Sequence, residues 1–250
     1  MTYQVKDYWE QRFKARFSLA GTGHSGFSEN YNRYMYKLKK RALDDAILHF
    51  GIEVQERKIL DIGSGTGFFV DYYLQKKAHA VVGIDITDIS INFLTKRFPS
   101  HRFYKVDLGQ ECLPVDERFD IINAFDILYH IISDDEFDKA IENINKSCKQ
   151  GTWIFITDSL MPAIGTAIHI KYRRLGDYKS ALGLRGIDVN AVVPVFHFMS
   201  KTPIFRTKNN LIKRFCAKVI DSSAPFLYLL DTFYCPMESS NMKLLICKKR

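Results

Sequence analysis

Two hydrophobic periods divide this chain. Between Lys58 and Ser159, short continuous apolar runs are separated by stretches long enough for a helix. The runs begin at Ile59, Ala80 and His101. A fourth covers Phe119–Ile131 and enters a turn, and a fifth covers Gln150–Leu160. Each reads as a buried strand, and the intervening segments read as helices. Outside this region the spacing becomes helical. Tyr8–Phe13 places aromatic and charged residues at helical intervals. Asn30–Phe50 reads as an amphipathic helix with Tyr34, Leu38, Ala42 and Ile47 on its buried side.

Beyond the fifth run the pattern predicts a loop, then a helix ending near Gly186. A strand over Ile187–Ser200 follows, with Pro194 at a bulge or a sheet edge, and a last strand over Asn241–Lys249. Residues 201–240 are rich in Phe, Leu and Tyr and too long for a turn. They read as a helical insert forming either a pocket wall or a dimer surface.

The densest chemical information lies in ILDIGSGTGFFV, Ile59–Val70. An apolar run reaches Asp61, then Gly63, Gly65 and Gly67 alternate, and an apolar helix follows. Glycine lets the backbone turn sharply and a ligand approach closely, and the helix-start amides face that ligand. A strand, glycine turn and helix form the nucleotide-binding corner of a doubly wound sheet. The dinucleotide fingerprint is absent, because Phe68 stands where its third small residue belongs.

The motif present is D-x-G-x-G-x-G, and it resembles the first motif of the class I S-adenosylmethionine-dependent methyltransferases. The later runs continue the resemblance: Asp85 ends the second and Asp107 the third, and AFDILYHI closes the fourth. The likeness covers about residues 58–159. It implies an α/β fold, with a doubly wound, seven-stranded, mostly parallel sheet and an antiparallel last strand. It further implies one methyltransferase domain over 1–250: an N-terminal cap (1–50), a cofactor core (51–160) and a substrate-side half (161–250) with its insert at about 200–240.

The implied cofactor is S-adenosylmethionine, leaving as S-adenosylhomocysteine. The residues implied to hold it are Asp61, Gly63, Ser64, Gly65, Gly67, Asp85, Ile86, Asp107, Leu108, Phe125 and Asp126. Asp85 would take the ribose hydroxyls and Asp107 the adenine amine. Arg33 would pair with the methionine carboxylate, and Tyr8, Trp9 and Tyr31 are further pocket candidates. His130, with an ordinary pKa near neutrality, is the candidate base, with Tyr129 beside it as a pocket wall. The alternative for His130 is packing. His169 and His197 are weaker candidates.

Composition narrows the acceptor. The chain carries a net charge of +8, with cations clustered at Lys37–Arg41, Lys171–Arg174 and Lys248–Arg250. That balance suits either a polyanionic partner or a solvated surface. No Asn/Asp-Pro-Pro-Tyr/Phe motif, metal-ligand cluster or close cysteine pair is present, so no metal is expected. The expected activity is methyl transfer to oxygen or nitrogen of a small-molecule or saccharide-like acceptor. The alternatives are an RNA or protein methyltransferase, or a non-catalytic cofactor-binding regulator. No apolar run reaches membrane-span length and no h-region begins the chain, so a cytoplasmic monomer or homodimer is expected.

Overall fold

The β-branched residues of the central runs bury side chains on both faces, so their strands need cover on both sides. In the computed structural model, which describes residues 5–24, 26–161, 169–199 and 218–250, they form a seven-stranded sheet ordered β3-β2-β1-β4-β5-β7-β6. The strands are β1 (Lys58–Ile62), β2 (Ala80–Asp85), β3 (Arg102–Lys105), β4 (Phe119–Phe125), β5 (Cys148–Asp158), β6 (Ile187–Phe196) and β7 (Met242–Lys249). β1 to β5 pair in parallel, and β7 runs antiparallel between β5 and β6. The expected sheet is therefore present, including its reversed last strand. The predicted irregularity is also present: β6 shifts register between Pro194 and Phe196 on the sheet edge.

The helices are α1 (Val5–Ala15), α2 (Leu19–Thr22), α3 (Glu29–His49), α4 (Phe68–Gln75), α5 (Asp88–Arg97), α6 (Asp134–Lys146), α7 (Leu175–Gly183) and α8 (Ala224–Phe233). Two apolar layers fill the space above and below the sheet. One joins α3 and α4 to residues such as Ile59, Ile121 and Phe155. The other joins α6 and α7 to Leu60, Ile122 and Ile154.

On α3 the buried stripe is Tyr31, Met35, Leu38, Ala42, Leu43 and Ala46, whereas Tyr34 and Ile47 are only half-buried. The stripe is broader than one face predicts because α3 packs on both the sheet and α8. Two cations counted from sequence as surface charge are also inside. Lys39 is buried, and buried Arg173 donates to the Ile131 and Ser133 carbonyls and lies 3.8 Å over the Phe137 ring.

The helical expectation for residues 201–240 holds over α8, while residues 200–217 lie outside the described part. β6 ends at Phe196, short of the predicted Ser200, because the next amides leave the ladder. His197, Phe198 and Met199 donate them to the carboxylate of Asp231 on α8, at 2.6, 2.8 and 2.9 Å. Buried Asp231 thus welds the sheet edge to the insert.

Asp231→Ala should lose three hydrogen bonds to a charged acceptor and leave three amides without it. Unfolding free energy in urea should fall by roughly 3 kcal/mol or more. A change below about 1 kcal/mol would mean that the turn holds itself.

Candidate functional site

The glycine motif makes the corner its spacing predicts. β1 ends at Ile62, and Gly63, Gly65 and Gly67 take φ of +73°, +50° and +81° before α4 begins. This left-handed region is open to glycine at little cost. Gly63 and Ser64 both donate to the Ile84 carbonyl, at 2.8 and 3.0 Å, which folds the loop over the end of β2. Space matters as well as φ. A Cβ on Gly63 would collide with the Ile127 side chain, and one on Gly67 would sit 2.7 Å from Leu94 Cδ2. The need for glycine here is thus met by the protein's own side chains, beyond any ligand.

Asp85, at the end of β2, is the corner's anchor. Its carboxylate accepts from Gly65 N (2.9 Å), Thr87 N (2.9 Å) and Thr87 Oγ1 (2.7 Å). Burial raises its pKa, and these hydrogen bonds oppose the rise. Asp61, at the end of β1, is buried and accepts from Asn123 Nδ2 at 2.7 Å. Burial pushes Asp61 up to about 7, against the hydrogen bond from Asn123. Asp107 lies just beyond β3, where its Oδ1 accepts from Gly109 N at 3.1 Å, and burial raises it too.

A solvent-open cleft spanning about 760 Å³ lies over these groups at the carboxyl ends of the strands. Of the residues named from sequence, Gly63, Gly65, Asp85, Ile86, Asp107, Leu108, Phe125, Asp126 and His130 line it. Val106, Leu108 and Ile131 supply an apolar slot next to Asp107, and Trp9 and Phe13 of α1 form the opposite wall. A smaller chamber continues the cleft past Asp61, Ser64 and Thr66. Three of the cofactor and pocket candidates line no cleft. Gly67 packs against α5, Tyr31 is in the core stacked on Phe27, and Arg33 is exposed on the outer side of α3.

A buried cation stands at the site instead: Lys39, six residues beyond Arg33 and on the buried side of the same helix. It forms an ion pair with Asp126 and lies 4.4 Å over the Tyr36 ring. Burial alone would lower the Lys39 pKa; the Asp126 charge overcomes this and leaves it raised. Asp126 itself sits at φ +60°, an uncommon conformation for a residue with a Cβ. Thr157 on β5 holds it there: its Oγ1 accepts from Asp126 N and donates to Asp126 Oδ1, both at 2.9 Å. Sequence reading missed Lys39, Asn123 and Thr157. The available signal was a lysine among the apolar positions of an amphipathic helix.

A second cleft of about 870 Å³ adjoins the first and shares Trp9, Thr22, Asp126 and His130 with it. Tyr8, Tyr129, His169 and Tyr172 continue its wall. Tyr8 stacks on His169 with 4.5 Å between centroids, and Trp9 meets His130 edge-on at 5.0 Å. Arg12 donates to Tyr8 Oη at 2.8 Å and to the carbonyls of Gly21 and Gly23, tying α1 to α2 and the residue after it. His197 lies away from both clefts, with its Nδ1 2.6 Å from the Ser239 carbonyl.

His130 differs from the near-neutral histidine expected. Burial pushes its pKa down to about 4. Its Nδ1 lies 3.0 Å from the His169 carbonyl, an oxygen that only accepts. The neutral ring therefore carries its proton on Nδ1 and leaves Nε2 as an acceptor. Burial also raises Tyr129 well above the ordinary tyrosine value.

Comparisons with known proteins follow this geometry. Residues 31–190 match the model of a methyltransferase domain family. A tRNA U34 carboxymethyltransferase of Pseudoalteromonas atlantica is 31% identical over 93 residues, 36% of this chain. The match spans only 29% of that relative's length. Among solved structures, magnesium protoporphyrin IX methyltransferase of Synechocystis PCC 6803 with bound S-adenosylmethionine superposes with a TM-score of 0.61 at 13% identity. That match covers 100% of this chain and 99% of the other. The [4+2]-cyclase SpnF superposes with a TM-score of 0.56 at 17% identity, covering 84% and 80%. These likenesses establish the fold, which is compatible with more than one chemistry.

Two measurements check this electrostatic arrangement. Lys39→Met should destabilise the protein by about 3 kcal/mol by leaving Asp126 without its buried partner. Adding Asp126→Asn should recover part of that loss; simple additivity would refute the coupling. For His130, the folded pKa of about 4 lies below the unfolded value of about 6.5. Its contribution is complete above pH 6.5 and is lost as pH falls toward 4, because the unfolded chain takes the proton first. Asp61 slopes the other way, so the comparison is with His130→Gln. The stability difference between wild type and variant should shrink across that window. A constant difference would show that His130 is not held neutral.

Proposed function

Because the chain belongs to this methyltransferase domain family, with S-adenosylmethionine as methyl donor, we propose that it methylates an oxygen or nitrogen of a small, uncharged, ring-containing acceptor. Saccharide-like compounds are the favoured class. The cofactor supplies a sulfonium methyl group, already activated for displacement. What remains to the protein is to align the acceptor and manage one proton.

The first cleft fits that cofactor. Asp85 uses three of roughly four carboxylate acceptor positions on Gly65 and Thr87. The fourth, and the one that the Thr87 hydroxyl can yield, suit the two hydroxyls of a ribose. Val106, Leu108 and Ile131 suit an adenine ring, with Asp107 at its polar edge. The chamber by Asp61 and Ser64 suits the amino-acid end of the cofactor, with Asp126 between it and the second cleft.

One observation supports the choice of acceptor: the second cleft has its charges already engaged. Lys39 is paired with Asp126, and the Arg12 guanidinium is spent on two carbonyls and Tyr8. Burial lowers the pKa of His24, His130 and His169, so the imidazoles lining this cleft are neutral at pH 7. What faces a ligand is aromatic surface with neutral hydrogen-bonding groups, suited to stacking a sugar or other ring. His130 Nε2 can accept the acceptor's hydrogen bond. With a pKa of about 4 it is a weak base, so positioning is the larger contribution. An RNA acceptor is the second reading, favoured by the net charge of +8 and the tRNA-modifying relative.

Methyl-labelled S-adenosylmethionine, given with the protein to a cell extract, tests both. Label in small molecules, unaffected by RNase, supports the first reading, and RNase-sensitive label in large RNA supports the second. Cofactor binding by itself is tested by Asp85→Ala. Affinity measured by calorimetry should fall at least tenfold, since each charge-assisted hydrogen bond lost is worth roughly 1.5–3 kcal/mol. Unchanged affinity would remove Asp85 from the site.

A further inference from the structure

Helix α8 has no charged residue on its outward side. Its inward positions, Ala224, Leu227, Tyr228 and Asp231, face the protein. Its outward positions leave Phe226, Leu229 and Phe233 exposed by 61%, 51% and 85%, with Tyr234 at 61% just beyond. Single exposed apolar residues are ordinary, but three large ones at successive turns of a helix form a patch that calls for a partner.

The border of this patch says what that partner is. α3 and α8 run side by side in the same direction. Ser28 N donates to Asp221 Oδ1 at 2.9 Å, the Tyr34 and Tyr228 rings meet at 5.4 Å, and Arg41 Nη1 donates to the Thr232 carbonyl at 3.0 Å. Arg41 is therefore at the seam between the two helices. Arg33 and Lys37 precede it by two turns and one turn, which puts all three cations on one stripe of α3, Arg41 itself being paired with Asp45 at 3.7 Å. Arg33 and Lys37 are exposed, and Lys37 Nζ lies 4.8 Å over the Tyr34 ring, next to the seam. An aromatic and aliphatic ridge bordered by a row of cations is the pattern of a surface that lies on an anionic bilayer. The rings enter the interface and the cations meet headgroups.

We infer that the α3–α8 face is a peripheral membrane-docking surface, with anionic phospholipid as its ligand. No described helix is long and apolar enough to cross a membrane, so the contact is a reversible one at the interface. A second copy of the chain is the poorer occupant. A two-fold contact pairs the apolar ridge with itself and gives the bordering cations no anion to meet, whereas an anionic bilayer engages both. The surface is separate from both clefts, so the inference stands whichever acceptor is methylated.

Vesicle co-sedimentation of the full chain tests it, with phosphatidylcholine alone and with phosphatidylserine added. The protein should pellet with the anionic vesicles, pellet weakly with the neutral ones, and be released by salt. Phe226→Ser with Phe233→Ser, and separately Arg33→Gln with Lys37→Gln, should each reduce retention at least tenfold. Both pairs should keep the melting temperature and the cofactor affinity of wild type, because all four side chains are exposed. Failure of the wild type to pellet would overturn the inference, as would equal pelleting of the variants. A large fall in melting temperature for the Phe pair would overturn it too, by showing that the chain itself covers these rings. Self-association that the Phe pair abolishes, with no vesicle binding, would assign the face to a second copy.

Discussion

The ion pair between Lys39 and Asp126 joins parts of the molecule that nothing local would bring together. Lys39 comes from the long helix that precedes the sheet, and Asp126 from the first residue after β4. Asp126 borders both clefts and the smaller chamber that continues the first, so its orientation bears on the shape of all three. Its left-handed backbone is an uncommon state for a residue with a side chain. Two hydrogen bonds to Thr157 and the Lys39 charge hold it there. A buried ion pair gives little net stability against an apolar replacement, but half of one is costly. The arrangement is therefore better understood as fixing geometry than as adding stability.

The acids around the glycine loop follow the same logic. Asp61, Asp85 and Asp107 stand at or just beyond the ends of three adjacent strands, and burial raises the pKa of all three. Each is held by donors from the protein: Asn123 for Asp61, Gly65 and Thr87 for Asp85, and Gly109 for Asp107. Asp85 thus shapes the corner before any ligand arrives. Preorganisation of this kind lowers the cost of ordering on binding.

The long helix α3 has two faces with different work. Its inner side supplies Tyr36 and Lys39 to the site, and its outer side carries Arg33, Lys37 and Arg41 along α8. One amphipathic segment therefore couples the site to the surface. α8 repeats the division, with buried Asp231 closing the end of β6 and a row of apolar side chains turned outward.

Periodicity and the glycine spacing were sufficient to place the strands and the corner of the sheet, and the family resemblance named most of the residues that line the first cleft. These features are local: a β-branched run, a turn that needs positive φ, and an acid at a strand end each leave a mark within a few residues. Pairings between distant segments leave no such mark. Arg33 and Lys39 lie on one helix and differ by six positions, yet only the packing of α3 against the sheet turns Lys39 inward and leaves Arg33 outside. His130 shows the same limit, because its intrinsic pKa is a property of the residue, whereas its displacement to about 4 comes from burial. Sequence determined which chemistry each residue can perform. Tertiary structure decided which residues meet and in what charge state, because desolvation and Coulomb interaction depend on distances across the fold that sequence separation does not encode.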